Sequence, residues 1–371
     1  MLPRPILVAV GTRPEIIKIA PIIHVLKAAA MPFIFLHCGQ HYDYNMSQQF
    51  IEELNLPPPN FRYEIYETQP AMQTAGIISA AAMIIKATNP LLVLVEGDTN
   101  TVLATAIAAN KQKTPIGHVE AGLRSYDLRM PEEHNRRLTD HLSTHLYAPT
   151  KTAEQTLMKE DVWGNIYLTG NTIIDAVIQH LPIAEKTSQV LNRIRFKEYV
   201  LATAHRQENV DNPSVLKNLV DVFIRSTVPV VYPLHPRTLK RLKEYNQWKR
   251  LAESKNVQLL PPASYFDFLV LMKHSTLIIT DSGGIQEEAT APPISKHVLV
   301  TRLSTERLEA VDAGFAKVVG VESEDVLKSL REALDKRKQL PNKSPYGNGK
   351  AAEKIVGIIK ACRDSLSQIF T

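Results

Sequence analysis

The chain has 371 residues, 44% hydrophobic and 22% charged, which is too long for one small core and too apolar for a disordered segment. Lys and Arg number 43 against 38 Asp and Glu, a net charge of +5 without any basic block; this argues against nucleic acid and fits a small anionic ligand held by a few placed cations. Cys38 and Cys362 make neither a disulfide framework nor a zinc site, and the apolar run over 6–10 is too short for a signal peptide or a membrane span, so a cytoplasmic location without a membrane partner is expected.

In chain order, short apolar runs at 6–10, 33–37, 91–95, 116–119, 146–148 and 166–169 read as strands. Between them, 14–29, 71–87, 101–111 and 132–145 carry helical patterns. The second half repeats the rhythm, with strands expected at 199–204, 228–234, 257–260, 277–280 and 298–301 and a last helix over 351–370. Buried strands alternating with helices predict parallel sheets with crossover helices. The reading is two doubly wound α/β domains, 1–175 and 176–350, followed by a C-terminal helix over 351–371. In that architecture ligands sit outside the carboxyl ends of the strands, and a cleft between the two domains is the expected place.

That rule directs attention to the residues just beyond each strand. Gly11-Thr12-Arg13-Pro14-Glu15, Glu96-Gly97-Asp98-Thr99, Glu120-Ala121-Gly122-Leu123-Arg124, His205-Arg206, His235-Pro236-Arg237 and Asp281-Ser282-Gly283-Gly284 all stand at such ends. One charged or glycine-rich turn is most simply a helix cap or a solvated loop. Six of them favour a shared ligand cleft. Asp281-Ser282-Gly283-Gly284 opens a helix, where free N–H groups and the absence of Cβ suit a phosphate. Glu287 and Glu288 come one turn later, with either ribose hydroxyls or the helix dipole as their reason to be there. Glu132 and Glu133 open another helix after Met130-Pro131. Alone they read as first-turn acids; beside Asp98 and Glu120 they join a group suited to proton transfer.

Three look-alikes are set aside. His141 and His145 are four apart but lack the Glu of a metalloprotease motif, and read as one helix face. Gly347-Asn348-Gly349 with Ala352 comes after a loop rather than a strand, so a nicotinamide fingerprint is not indicated. No P-loop string occurs. No metal and no cofactor are expected.

Several strings together resemble the non-hydrolysing UDP-N-acetylglucosamine 2-epimerase family, in order and over nearly the whole chain. They are Gly11-Thr12-Arg13-Pro14-Glu15-Ile16-Ile17-Lys18, Gly39-Gln40-His41, Gly97-Asp98-Thr99-Asn100-Thr101, His118-Val119-Glu120-Ala121-Gly122-Leu123-Arg124, Pro131-Glu132-Glu133 with Asn135-Arg136, Thr169-Gly170-Asn171-Thr172, His205-Arg206 and Asp281-Ser282-Gly283-Gly284-Ile285-Gln286-Glu287-Glu288. The resemblance implies a GT-B fold, two Rossmann-like domains with the C-terminal helix crossing back to the first. It implies a UDP-sugar substrate, a homodimer and no NAD. Ser282, Gly283 and Gly284 match its diphosphate cradle, Glu288 its ribose ligand and Phe268 the aromatic packed on uracil. Arg13, Lys18 and Arg307 match cations near the pyrophosphate. Asp98, Glu120, Glu132 and His205 match the acid–base group around the sugar.

There are departures from the family pattern. The loop Thr290-Ala291-Pro292-Pro293-Ile294-Ser295-Lys296-His297 is two residues longer than usual, Leu308 replaces a proline after Arg307, and Ala263 stands where a polar residue is common. The basic segment that accompanies a second, activating nucleotide-sugar site is not evident around 68–74. The nearest rival reading is the same inversion on a 2,3-diacetamido uronic acid nucleotide, a type that tends to have Ala-Arg-Pro-Gln where this chain has Thr12-Arg13-Pro14-Glu15. A hydrolysing epimerase, a glycosyltransferase and a non-catalytic UDP-sugar sensor complete the alternatives.

Overall fold

The computed structural model describes residues 4–40, 44–336 and 339–368. His41 and Asp43, and Phe370 at the end of the expected last helix, lie outside the described residues. The chain divides into two units, one made of the residues up to Ala176 plus those from Tyr346 onward, the other of Val177–Pro345.

The first unit runs β1 (Ile6–Val10), α1 (Arg13–Ala28), β2 (Phe33–Gln40), α2 (Tyr44–Glu53), β3 (Phe61–Ile65), α3 (Pro70–Thr88), β4 (Leu92–Glu96), α4 (Asn100–Lys111), β5 (Ile116–Val119), α5 (Pro131–Leu142), β6 (His145–Ala148), α6 (Lys151–Lys159), β7 (Asn165–Leu168) and α7 (Thr172–Thr187), the last continuing past the division. Its seven strands are ordered β3-β2-β1-β4-β5-β6-β7 and every pairing is parallel. β1, β4 and β5 are buried along their whole length, which is why they read as unbroken apolar runs. The order reverses between β1 and β4, so the segments after these two strands leave toward opposite faces and open a crevice.

The second unit runs β8 (Val200–Thr203), α8 (Gln207–Val210), α9 (Pro213–Arg225), β9 (Val230–Pro233), α10 (Pro236–Glu244), α11 (Trp248–Ala252), β10 (Val257–Leu260), α12 (Tyr265–His274), β11 (Leu277–Thr280), α13 (Gly283–Glu288), β12 (Val298–Val300), α14 (Leu308–Asp312), β13 (Ala316–Val318) and α15 (Ser323–Lys336). Its six parallel strands are ordered β10-β9-β8-β11-β12-β13, with the reversal between β8 and β11. The chain then adds α16 (Ala351–Ala361) and α17 (Arg363–Gln368) to the first unit. Asp175 accepts the Ala351 and Ala352 N–H groups at 3.2 and 2.9 Å, satisfying two of the free donors at the start of α16. α16 packs on α1.

Four expectations are corrected. β3 and β13, both at sheet edges, are absent from the strands expected on sequence. β3 is exposed at Phe61 and Arg62 and β13 has three residues, so neither carries the apolar run of a central strand. α5 ends at Leu142, where Ser143 is already extended, and His145 begins β6. His141 and His145 are therefore on different elements rather than on one helix face. The last helix breaks at Cys362 into α16 and α17. α3 is apolar and long enough, by composition and length, to cross a membrane. It packs along α4 beside the sheet, as a crossover helix does, and on its own is no argument for a bilayer.

Candidate functional site

In the first unit the crevice between β1 and β4 gathers Glu15, Glu96, Asp98 and Glu120, and Lys18 pairs with Glu120 beside Glu96. Gly11, directly after β1, passes so close to α4 that a Cβ there would lie 2.2 Å from Thr101 Oγ1, which leaves glycine alone able to pass. Glu15, in the first turn of α1, folds back to accept the Gly11 N–H at 2.6 Å and the Thr12 hydroxyl at 3.0 Å. Burial pushes its pKa up to about 7 against those bonds. Glu96, the last residue of β4, is buried too; burial raises it well above the carboxylate range, Lys18 opposes, and Glu120, Glu15 and Asp98 add to the rise. Lys18 pairs with Glu120 and lies 3.5 Å from Glu96. Glu120 also accepts from Asn171 Nδ2 at 3.3 Å.

Glu120 has φ +69°, a left-handed conformation that costs a residue with a side chain about 1–3 kcal/mol. Such a conformation persists where the surroundings over-determine it, and here it turns the carboxylate onto Lys18 at the end of β5.

α5 supplies the anchors for the neighbouring loop. Arg136 Nη2 donates to Asp98 Oδ2 at 2.6 Å, and Asn135 Nδ2 to the Asp98 carbonyl at 2.9 Å. The two acids at the start of α5 part company. Glu133 is fully buried and accepts from the Ser125 N–H at 2.8 Å and from Arg137 Nε at 3.0 Å. Burial would raise it, yet these donors hold it below the usual range. Glu132, one residue earlier on the helix, is exposed.

In the second unit the crevice lies between β8 and β11. Asp281 is buried and accepts the backbone N–H groups of His205 and Arg206, each at 2.9 Å, with Asn209 Nδ2 at 3.1 Å. His205 Nδ1 stands 3.2 Å from the same carboxylate. Burial raises the Asp281 pKa, and the His205 bond with the backbone donors brings it below normal. His205 is thereby fixed by an ionised aspartate, with its ring partly exposed.

Ser282 precedes α13 without capping it through its side chain. A Cβ at Gly283 would come 3.1 Å from Glu306 Oε1 and 3.7 Å from Arg307 Cζ, whereas one at Gly284 would meet no protein atom within 4 Å. Arg307 is buried and bonded to Glu287 at 2.6 Å, and Glu306, brought down to about 2 by Arg307 and Arg302 despite its burial, accepts Arg302 at 2.7 Å. Glu288 is buried and Phe268 half-buried on α12. Arg13 lies over the Phe50 ring at 5.4 Å.

Each candidate thus has a place. Glu120 and Lys18 pair in the first unit, and Asp98 stands beyond the neighbouring strand, bonded to Arg136, with Glu132 on the helix that anchors it. His205, Ser282–Gly284 and Arg307 come to the β8/β11 reversal in the second. Glu15, Glu96 and Arg136 stand in the sequence only as letters within motifs, and the structure gives them defined partners; Asp281, expected only as part of the helix-opening turn, holds the backbone of His205 and Arg206, and Glu287, expected to meet ribose or the helix dipole, is bonded to Arg307. Glu96 had one signal, a carboxylate closing a strand that is otherwise wholly apolar. Among the described residues no group of three or more His, Cys, Asp and Glu is arranged to hold a metal.

Glu15 makes a stability prediction. Its folded pKa lies above its unfolded value, so its contribution is fully present below about pH 4.5 and is lost as pH rises through about 7, by about 3 kcal/mol in all. E15Q is expected to lack this decline, and urea unfolding at pH 5 and 8 reads the difference. Equal slopes for the two proteins would mean Glu15 ionises normally.

The chain is similar to known proteins over nearly its whole length. Residues 24–360 match the family model described as UDP-N-acetylglucosamine 2-epimerase. The UDP-N-acetylglucosamine 2-epimerase of Methanocaldococcus jannaschii is 43% identical over 361 residues, covering 95% of this chain and 98% of that one. The UDP-2,3-diacetamido-2,3-dideoxy-D-glucuronate 2-epimerase of Pseudomonas aeruginosa is 35% identical, covering 94% and 98%. The crystal structure of the M. jannaschii enzyme in complex with UDP-GlcNAc and UDP superposes with a TM-score of 0.87 at 41% identity, over 96% of this chain and 99% of that one. With its two parallel-sheet units of the GT-B class, the chain belongs to the UDP-N-acetylglucosamine 2-epimerase family and is an isomerase.

Proposed function

We propose that the protein interconverts UDP-GlcNAc and UDP-ManNAc by eliminating UDP and adding it back across a bound 2-acetamidoglucal. The observation that carries this reading is the placement of Asp98 and Glu120 beyond the ends of neighbouring strands, one anchored by Arg136 and the other by Lys18. C2 of an N-acetyl sugar has no neighbouring carbonyl to make its proton acidic. As the C1–O bond to UDP breaks, positive charge develops at C1 and the C2 proton becomes removable. Elimination leaves UDP and the glycal; UDP then returns to C1 while a proton is delivered to the other face of C2. Two proton-transfer groups are needed, one per face. Asp98 and Glu120 fill these roles with Glu132 in support, and His205, fixed by Asp281, assists departure of the pyrophosphate.

In this reading the first unit acts on the sugar and the second holds UDP. The backbone at Ser282, Gly283 and Gly284 receives the diphosphate, where a Cβ on Gly284 would meet no protein atom. Arg13, Lys18 and Arg307 balance the pyrophosphate charge. Lys18 also sets the state of Glu120. Glu288 takes the ribose and Phe268 the uracil. No cofactor takes part. A cytoplasmic homodimer supplying an N-acetylmannosamine nucleotide to polysaccharide synthesis belongs to the same reading.

The test is proton NMR of the protein with UDP-GlcNAc in deuterated water. UDP-ManNAc should appear, with deuterium entering at C2 and no lasting free UDP. Lasting UDP would replace the reading with hydrolysis. An inert UDP-GlcNAc beside turnover of a 2,3-diacetamido uronic acid nucleotide would move the substrate toward that of the P. aeruginosa relative.

A further inference from the structure

His118 lies in β5, two residues before Glu120, and is fully buried. Both of its ring nitrogens are engaged. Nε2 is 2.8 Å from the Gly97 carbonyl oxygen and Nδ1 is 2.7 Å from Asp140 Oδ1. A carbonyl has no proton to give, so Nε2 carries one. Asp140, on α5, is itself fully buried, and its other oxygen takes Arg124 Nη2 at 2.7 Å and the Gly122 N–H at 3.2 Å. A carboxylate bonded in this way is ionised and has no proton to give either. A bare Nδ1 at 2.7 Å from it would set one lone pair against another. Nδ1 therefore carries a hydrogen too.

We infer that His118 is held as an imidazolium by these two acceptors, and that with Asp140 it forms a positioning pair that fixes the two loops bearing Asp98 and Glu120. Three further observations fit. Gly97 has φ +86° and stands directly before Asp98, so holding its carbonyl orients the backbone on which Asp98 is carried. Gly122 has φ +84°, and a Cβ there would lie 2.4 Å from the Ala153 carbonyl; Asp140 holds its N–H two residues beyond the left-handed Glu120. The charges around the ring also close. Arg124 donates to Glu160 from Nε at 3.0 Å and from Nη2 at 2.6 Å, so His118, Asp140, Arg124 and Glu160 make two cations and two anions in a row. A buried pair like this contributes little net stability and is costly to break on one side. Its use here is register: one imidazolium ties the ends of β4 and β5 to α5, the helix that also holds Asp98 through Arg136.

The inference rests on the epimerase reading for the roles of Asp98 and Glu120, but the charge on His118 is measurable without any reaction. Nitrogen-15 NMR of histidine-labelled protein, with His118→Gln used to identify the resonance, should show both ring nitrogens protonated at pH 7. A neutral ring at pH 7 would overturn the proposal. D140N should release the second proton and give the neutral signature in a folded protein; an unchanged imidazolium there would equally overturn the pairing. In kinetics, H118Q should lower kcat by about tenfold or more while KM for UDP-GlcNAc moves by less than about threefold. A kcat that falls only in proportion to the unfolded fraction would assign His118 a merely structural part. If the wild type fails to epimerise UDP-GlcNAc while its His118 is doubly protonated, the epimerase reading fails and the buried ion pair stands.

Discussion

E120Q is expected to lower kcat by about two to four orders of magnitude, the usual contribution of a general acid or base, while UDP affinity and folding stay close to wild type. The substitution keeps the size of the side chain and the acceptor that faces Asn171. It removes the capacity to take or give a proton at the working pH. Loss of a carboxylate beside a buried lysine ordinarily leaves an unpaired charge and costs about 3–5 kcal/mol. Glu96 lies 3.5 Å from the same ammonium, and because the Glu120 charge is one of the causes that hold Glu96 in its protonated form, removing it favours ionisation of Glu96 as the replacement counter-ion. Backbone strain does not change either, since Gln at φ +69° meets the same clash as Glu. The measurement is the rate of UDP-ManNAc formation by NMR, beside UDP binding by calorimetry and thermal unfolding. A kcat within about tenfold of wild type would remove Glu120 from proton transfer. A large loss accompanied by unfolding would show instead that Glu96 does not balance Lys18 by itself.

The same residues show how much of the molecule is legible in its sequence. The central strands are visible because burial on both faces demands an unbroken apolar run, as in Ile6–Val10. Edge strands escape that demand, and β3 and β13 go unseen for that reason. The strand-end rule finds the neighbourhood of the site, since parallel strands bring all their carboxyl ends to one edge of each sheet. It does not give partners. Asp98 meets Arg136 across 38 positions and His205 meets Asp281 across 76, and no local spacing encodes either contact. Nor does it divide Glu132 from Glu133. A helix turns about 100° per residue, so adjacent acids face different surroundings, and only the packing of α5 decides which one is buried. Lys18 carries a cation's role by resemblance. Its buried position between Glu96 and Glu120 shows a second task, countering the charge of two buried carboxylates.

D98N is expected to abolish net epimerisation as E120Q does, by about two to four orders of magnitude, yet the two variants should differ in isotope exchange. Inversion needs one group to take the C2 proton from one face and another to deliver to the opposite face. A variant that keeps only one group still removes the proton on its own face and returns a deuteron there when solvent has exchanged it. The recovered sugar is then labelled without being inverted. If the two carboxylates serve opposite faces, one variant should label UDP-GlcNAc and leave UDP-ManNAc untouched, and the other should do the reverse. The wash-out should be faster in E120Q. The Asp98 side chain that remains there is 24% exposed, against 6% for Glu120 bonded to Lys18, so its proton meets solvent more readily. D98N preserves the geometry, because Asn can still accept from Arg136 Nη2 and the Asn135 bond to the backbone carbonyl does not involve the side chain. Incubating each variant with each nucleotide sugar in deuterated water and reading the C2 proton signal decides the matter. Loss of exchange from both sugars in both variants would mean that each carboxylate is needed for proton transfer on either face. Full turnover in D98N would take Asp98 out of the chemistry and pass its part to Glu132.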